Sequence, residues 1–275
     1  MKKHFFYLSF LSLFLLSSCA PIVVSIVPFN NNETHKIYGS SIGIIVTKPN
    51  KKLEFSESLY KVLYYEMAES FYDFEGLWDP SPLLEKHAAQ SLMEQFNFKT
   101  FLLSHEIESA NYHKIVQSCE NEFNLKRTRY KGTASSFLSG YALEYRYNND
   151  YLTSPPDESL IQAARKLNLD YIMEIPLTGI SMYSHTQNWF NNFQVYAHAR
   201  LISVINGNVI WAHKGTCHTK IKNAISPNDL EAIKIFYGKA IKGLCTPNTP
   251  NDGASFTPNS YVFKKLLDDM KKEKS

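Results

Sequence analysis

No stretch of the chain approaches the roughly 20 consecutive apolar residues that a membrane-spanning helix needs, so no such helix is expected. Net charge is small, with 29 Lys and Arg against 26 Asp and Glu leaving a formal +3. That balance lacks the basic excess of a nucleic-acid binder, and nucleic acid is not an expected partner. Signature motifs of catalysis are missing too: there is no G-x-S-x-G elbow, no P-loop, no G-x-G-x-x-G and no H-E-x-x-H. His105-Glu106 opens the last pattern, but Ser109 stands where its second histidine belongs. No enzyme activity, catalytic residue or cofactor is therefore expected.

What is present begins with a leader. Lys2 and Lys3 precede an apolar run of 12 residues, Phe5 to Leu16, too short to span a bilayer but suited to the core of an export signal. The run ends in Leu16-Ser17-Ser18-Cys19, which resembles the lipobox of bacterial lipoproteins. In that family cleavage falls before the cysteine, and the cysteine carries the lipid. Residues 1–18 then read as signal peptide, Cys19 as the lipidated, palmitate-bearing residue, and 19–37 as a tether. Ala20, rather than Asp, resembles lipoproteins sent to the outer membrane of a Gram-negative cell. Several acyl chains anchor stably where one does not, each buried methylene contributing about 0.8 kcal/mol. The expected location is the periplasmic face of the outer membrane, with the lipid bilayer itself one partner through acylated Cys19.

Three cysteines remain, Cys119, Cys217 and Cys245, and an oxidising periplasm allows one pair among them. Cys217 with Cys245 is the favoured disulfide, because it would staple a hairpin strand to the end of the following helix. Three reduced, buried thiols are the competing reading.

Along the chain, the isoleucine-rich stretch from Tyr38 to Thr47 reads as the first core strand and Pro49 to Lys52 as a turn. Ser56 is placed as the cap of a helix whose Leu59, Val62, Leu63, Met67, Phe71 and Phe74 form one stripe. Ser81-Pro82 opens a second helix with Leu84, Ala88, Leu92 and Phe96 along one side. Thr100 to Glu106 reads as the second core strand. Residues 107–150, with the basic cluster Lys126, Arg127, Arg129 and Lys131, read as an insertion or exposed hairpin.

Ser154 to Asp157 opens a helix carrying Leu160, Ala163, Ala164 and Leu167, closed by Asn168, before a buried strand from Tyr171 to Ile180. Ser226 to Asp229 starts another, with Leu230, Ile233, Tyr237, Ala240, Ile241 and Leu244. Residues 246–275 read as a linker and a terminal helix from Ser260. This order predicts one main α+β domain over 38–245, a mixed sheet with helices packed on one face.

Between those helices, Phe193 to Ile205 and Asn208 to Thr216 read as a β-hairpin. Asn206-Gly207 suits a two-residue type I′ turn, in which both central residues need positive φ. That turn would pair Ile202 with Trp211 and Arg200 with His213. One face then carries Tyr196, His198, Arg200, Ile202, Trp211 and His213, the other Val195, Ala197, Ala199, Leu201, Ile210 and Ala212. The small-residue face is suited to a helix. The aromatic and basic residues Tyr196, His198, Arg200, Trp211 and His213 form the expected partner-binding surface, with Trp189 and Phe190 in the preceding loop. Arg200 is expected to stack on Trp211 or Tyr196. His198 and His213 become diagonal neighbours, but no third ligand lies nearby in sequence, so no metal is expected.

Ala163-Ala164-Arg165-Lys166-Leu167-Asn168-Leu169-Asp170-Tyr171-Ile172, then Ala199-Arg200-Leu201-Ile202, then Gly207-Asn208-Val209-Ile210-Trp211, resemble a recurring envelope-lipoprotein pattern. It is that of the superfamily containing the curli-secretion lipoprotein, the lipoprotein activators of penicillin-binding proteins, and the amino-terminal domain of the Tol-system periplasmic protein. There a helix leads into a strand, and an Arg-Leu-Ile-Asp … Gly-Glu-Val-Leu-Trp hairpin follows. Ser203 and Asn208 depart from the pattern at its Asp and Glu places. The resemblance implies an α+β sandwich and a non-enzymatic role in assembly, secretion or enzyme activation, with another envelope protein as partner. The alternatives are a structural subunit of an envelope complex, including a homo-oligomer, and a cell-wall glycan-acting enzyme.

Overall fold

A computed structural model of the chain describes residues 27, 37–49, 51–61, 64–126, 129–130, 146–147, 150–185, 191–221, 226–245 and 266. Its first strand, β1 (Ser41–Val46), is buried along nearly its whole length. Such an unbroken apolar run suits a strand covered on both faces. Accordingly Ile42, Ile44 and Val46 enter one core and Ile45 enters another.

The sheet is strung on a strand of 15 residues, Tyr171–His185. Its first half pairs in parallel with β1, and its second half in parallel with β2 (Lys52–Lys61). β3 (Tyr64–Asp73) returns antiparallel beside β2, and β4 (Lys99–Leu102) lies parallel to β1. A separate two-stranded ladder joins β5 (Arg129–Tyr130) to β6 (Arg146–Tyr147), inside the segment read as an insertion. The long strand is β7. Its other edge is taken by antiparallel β8 (Asn191–Ser203), and β9 (Val209–Ile221) lies beyond. Seven strands thus form one mixed sheet. On the outer edge of β9, Val27 exchanges both backbone hydrogen bonds with Ala212, at 3.2 and 3.1 Å.

The α+β class holds, but helices cover both faces of the sheet rather than one. α1 (Ser81–Phe96) packs on the face of Ile42, Ile44, Met173, Ala199 and Leu201. After the short α2 (Leu103–Glu106), α3 (Ser109–Lys126) packs on the opposite face with Ile45, Ile172 and Ile202. α4 (Asp150–Thr153) and α5 (Glu158–Lys166) follow, α5 on the same side as α3. α6 (Leu230–Cys245) joins α1 through Ile233, Tyr237, Ala240 and Ile241. The predicted stripe of α1 is buried at all four positions, Leu84, Ala88, Leu92 and Phe96. Asp79 holds its first turn, accepting from the Ser81 N–H at 2.9 Å and its hydroxyl at 2.7 Å. α5 starts on Asp157, which accepts from the Ser159 N–H at 2.9 Å, and Asn168 leaves the helix at φ 54°.

Several expectations are corrected. The helix capped by Ser56 is instead the hairpin β2–β3, with Ser56 opposite Glu69 on one side and Tyr183 on the other. Its aromatics, among them Tyr60, Tyr64, Tyr65, Phe71 and Tyr72, favour strands, and the open edge of β7 supplies a partner no local spacing reveals. The strand predicted to reach Glu106 stops at Leu102 and turns into α2. Residues 109–126, expected to belong to an insertion or exposed hairpin, are helical. No disulfide joins described residues, and Cys119 and Cys245 are buried thiols. Cys245 sits in the core shared by α1 and α6, rather than stapled to a strand, while the Cys217 side chain lies outside the described residues. Of the terminal helix, Leu266 alone is described, helical and buried in that same core.

One close approach along β7 is testable. Gly179 pairs with Tyr196 across the β7–β8 ladder, and a methyl group at Gly179 would meet the Tyr196 ring at 1.9 Å. An aromatic ring lying over a strand glycine compensates its missing side chain. Gly179→Ala is expected to lower stability by about 1–3 kcal/mol through overpacking, and by much less in a Tyr196→Ala background. Denaturant titration of the four proteins of this cycle checks it.

Candidate functional site

The hairpin expected to present a partner-binding face is packed inside the protein. Its turn is wider than two residues: the Gly207 N–H donates to the Ser203 carbonyl, and the Ser203 N–H to that of Asn208, both at 2.9 Å. Gly207 takes φ 69°, whereas Asn206 is not among the residues of positive φ. The ladder consequently sets Arg200 opposite Ala212 and Ala199 opposite His213, with a bulge at Leu201/Ile202. A shift of one residue exchanges the faces of a strand. Trp211 therefore joins Ala199 and Leu201 in the core beneath α1 and α6. His213, opposite Ala199, shares that side, while His198, opposite Lys214, faces the other way, so the two imidazoles are not diagonal neighbours.

Burial settles the rest of that surface. Trp211 and Arg200 are both 0% exposed, His213 3% and His198 8%. Tyr196 is half-buried, and Trp189 and Phe190 lie outside the described residues. The small-residue face does receive a helix, as Ala197 and Ala199 pack in the core of α6.

Arg200 is the centre of a buried network. Its Nε donates to Glu174 Oε2 at 2.7 Å, and its Nη2 stands 2.7 Å from the same oxygen. Nη1 donates to the Tyr151 and Ser154 carbonyls at 2.6 and 3.0 Å, anchoring the end of α4. The guanidinium lies over the Tyr151 ring at 4.2 Å, rather than over Trp211 or Tyr196. Glu174 Oε1 accepts from the Tyr151 hydroxyl at 2.7 Å and the Thr47 hydroxyl at 3.1 Å. Burial pushes the Tyr151 hydroxyl and the Cys119 thiol well above their ordinary values, with the Glu174 carboxylate next in effect. Neither group is a ready nucleophile or base. This cluster holds structure together.

The open polar site lies just beyond. Pro176 has no N–H to give a ladder, and β7 bulges between Glu174 and Leu177. At the same level β1 ends, and the chain crosses from Thr47 to Lys51 before β2 rejoins β7. The crossing leaves a cleft of about 440 Å³ between the C-terminal end of β1, the start of α1, and α3. Crevices outside the carboxyl ends of parallel strands are the usual ligand sites of open α/β sheets. Lys48, Lys51, Lys52, Asp73, Glu75, Asp79, Glu85, Ser104, Tyr112, His113 and Glu120 contribute to the lining.

Two ion pairs stand on it, Lys48–Glu120 and Lys52–Asp73, each at 3.3 Å. Glu85 is 2% exposed. It accepts from the Ser104 hydroxyl at 2.7 Å, the Tyr112 hydroxyl at 3.1 Å and the Val46 N–H at 3.3 Å. Burial raises its carboxyl above the ordinary range, and those three donors pull it back. So held, Glu85 is a fixed wall of the cleft, while the lysines and acids of both signs form its lining.

Neither the network nor the cleft was found from sequence. Glu174 carried the one usable signal, an acid inside Tyr171-Ile172-Met173-Glu174-Ile175, since a buried carboxylate demands a partner. The cleft had none, because its residues come from five separated segments.

No protein-family model matches the chain, and no curated protein matches it. Several solved structures are similar, three of which are described. The three are the C-terminal domain of LpoB from Salmonella enterica (13% identity, TM-score 0.21, 68% of this chain and 94% of that one), the PelC dodecamer from Paraburkholderia phytofirmans (11%, 0.27, 76% and 91%), and Lipoprotein GNA1162 from Neisseria meningitidis (15%, 0.30, 72% and 96%). With every TM-score under 0.5, these likenesses add nothing to the fold, which rests on the strand order and register above.

His198 supplies a pH dependence. Burial, with Lys214 and His213 adding to it, lowers its pKa from 6.5 to about 3. Neutral in the fold, it takes up a proton in the unfolded chain once pH falls below about 6.5. The unfolded state then binds more protons, so stability drops as pH goes from 6.5 toward 3. Thermal unfolding across that window should show a steeper decline for wild type than for His198→Gln. Parallel declines would contradict the assignment.

Proposed function

We propose that this chain is a lipid-anchored accessory protein of a bacterial envelope, held at the periplasmic face of the outer membrane by acylated Cys19, and that it acts by binding another envelope protein. The observation that carries the reading is Leu16-Ser17-Ser18-Cys19 at the end of a short apolar run behind two lysines. The hairpin pattern around Arg200-Leu201-Ile202 and Gly207-Asn208-Val209-Ile210-Trp211 supports it. The part of that pattern described in the structure serves the core, which moves the binding role elsewhere. The cleft at the end of β1 takes that role. Its lining carries both signs of charge, suited to a polar partner segment that presents both in turn, and such complementarity governs specificity and encounter rate.

Two substitutions in the full-length protein test the reading. Cys19→Ala should shift the chain from the membrane fraction to the soluble fraction of lysed cells. Lys51→Glu reverses a lining charge beside Asp73 and should reduce crosslinked capture of envelope partners from intact cells, with an unchanged unfolding midpoint. Membrane association that survives Cys19→Ala would remove the anchor, and wild-type capture by Lys51→Glu would remove the cleft as the contact.

A further inference from the structure

Resting on the binding role proposed for the cleft, we propose that it seats a lysine side chain of the partner segment, whose ammonium donates to Glu85 while an acid of the same segment meets Lys51. Three lysines and five acids line the cleft. Lys48 is paired with Glu120 and Lys52 with Asp73, both at 3.3 Å, which leaves Glu75, Asp79 and Glu85 against Lys51. The open charge of the cleft is therefore negative, and complementarity asks its partner for a cation.

Glu85 marks where that cation goes. Two glutamates are sealed in the described structure, Glu174 at 0% and Glu85 at 2% exposure. Glu174 has its counter-charge inside the chain, the guanidinium of Arg200 at 2.7 Å. Among the described residues no cation forms an ion pair with Glu85. Its three donors, the Ser104 and Tyr112 hydroxyls and the Val46 N–H, are all neutral. Burial and, after it, the like charge of Asp79 raise its carboxyl above the ordinary range. A buried carboxylate without a counter-charge is costly, and a cation brought to it offsets that cost. Of the two glutamates, the one without a cation of its own is the one that lines the open cleft.

The hydrogen bonds already made select the kind of cation. An ionised carboxylate offers about four lone-pair sites, two on each oxygen. Oε1 accepts from Tyr112 and Val46, whereas Oε2 accepts from Ser104 alone. One site is left, on Oε2. An arginine fork needs both oxygens for its paired bonds. A lysine ammonium is a compact point charge that one oxygen satisfies, and its long apolar stem carries the charge to the floor of a cleft. Lys51, half-buried on the same lining and outside both ion pairs, supplies the opposite charge for a neighbouring acid of the segment.

The test uses full-length lipidated protein in detergent micelles, titrated calorimetrically with blocked synthetic peptides. Acetyl-Ala-Lys-Ala-Asp-Ala-amide should bind saturably, and about tenfold or more tighter than the same peptide with norleucine in place of lysine, the worth of a hydrogen bond to a charged group. The arginine version should bind less tightly than the lysine one. Glu85→Gln keeps the size of the side chain and removes its charge, and should bring the lysine and norleucine peptides to equal affinity. A lysine peptide that wild type binds no better than the norleucine peptide, or does not bind, would overturn the inference without recourse to any variant. Arginine binding tighter than lysine would overturn the single-donor seat. Crosslinked capture of envelope partners separates this inference from the reading beneath it. Capture by Glu85→Gln at the wild-type level, with capture lost in Lys51→Glu, would leave the cleft as the contact and remove the ammonium from it. Wild-type capture by both variants would remove the cleft, and this inference with it.

Discussion

A carboxylate and a guanidinium, both sealed from solvent, fix the middle of this molecule. Glu174 on β7 and Arg200 on β8 face each other across the ladder, and each must be satisfied where it stands. Ions removed from water lose several kcal/mol of solvation apiece, repaid only by close geometry and further hydrogen bonds. Here the further bonds reach outward. Thr47 ties the end of β1 to the pair, and the Tyr151 and Ser154 carbonyls tie the end of α4. One pair thus brings together two strands, a crossing loop and a helix that local sequence alone would leave separate.

The cleft follows from the same place. Two residues beyond Glu174, Pro176 interrupts the ladder, and at this level the chain leaves β1 and rejoins β7 as β2. Thr47 is held inward by Glu174, and Lys48 and Lys51 of the crossing, with Lys52 at the start of β2, line the cleft. The hydrogen-bonded wall at Glu85 and the opposed ion pairs at Lys48 and Lys52 complete it. The open polar site thus adjoins the buried pair, because the irregularity in β7 begins directly after Glu174.

Much of the fold was legible where local chemistry decides. Asp157, Asn168 and the Leu84–Phe96 stripe work through capping, backbone conformation and helical spacing, all written within a few residues. Illegible parts were those decided by distant partners. Residues 52–73 have apolar spacing compatible with a helix, yet the free edge of β7 makes them a hairpin. The face of Trp211 depended on how many residues the Asn206-Gly207 turn takes up, and one residue of difference moved it to the side of Ala199 and Leu201, while Arg200 kept its side of β8 and is buried because helices cover that side as well. The cleft gathers Lys51, Asp79, Glu85, Ser104 and Tyr112 from separate elements, so no motif spells it.

A double-mutant cycle on Glu174 and Arg200, read by denaturant unfolding, probes the central pair most directly. Glu174→Leu and Arg200→Met should each destabilise by about 3–5 kcal/mol, because each leaves its partner charged and buried. The double variant should lose far less than their sum. Additive losses below about 1 kcal/mol each, the behaviour of exposed ion pairs, would contradict a sheet built around this interaction.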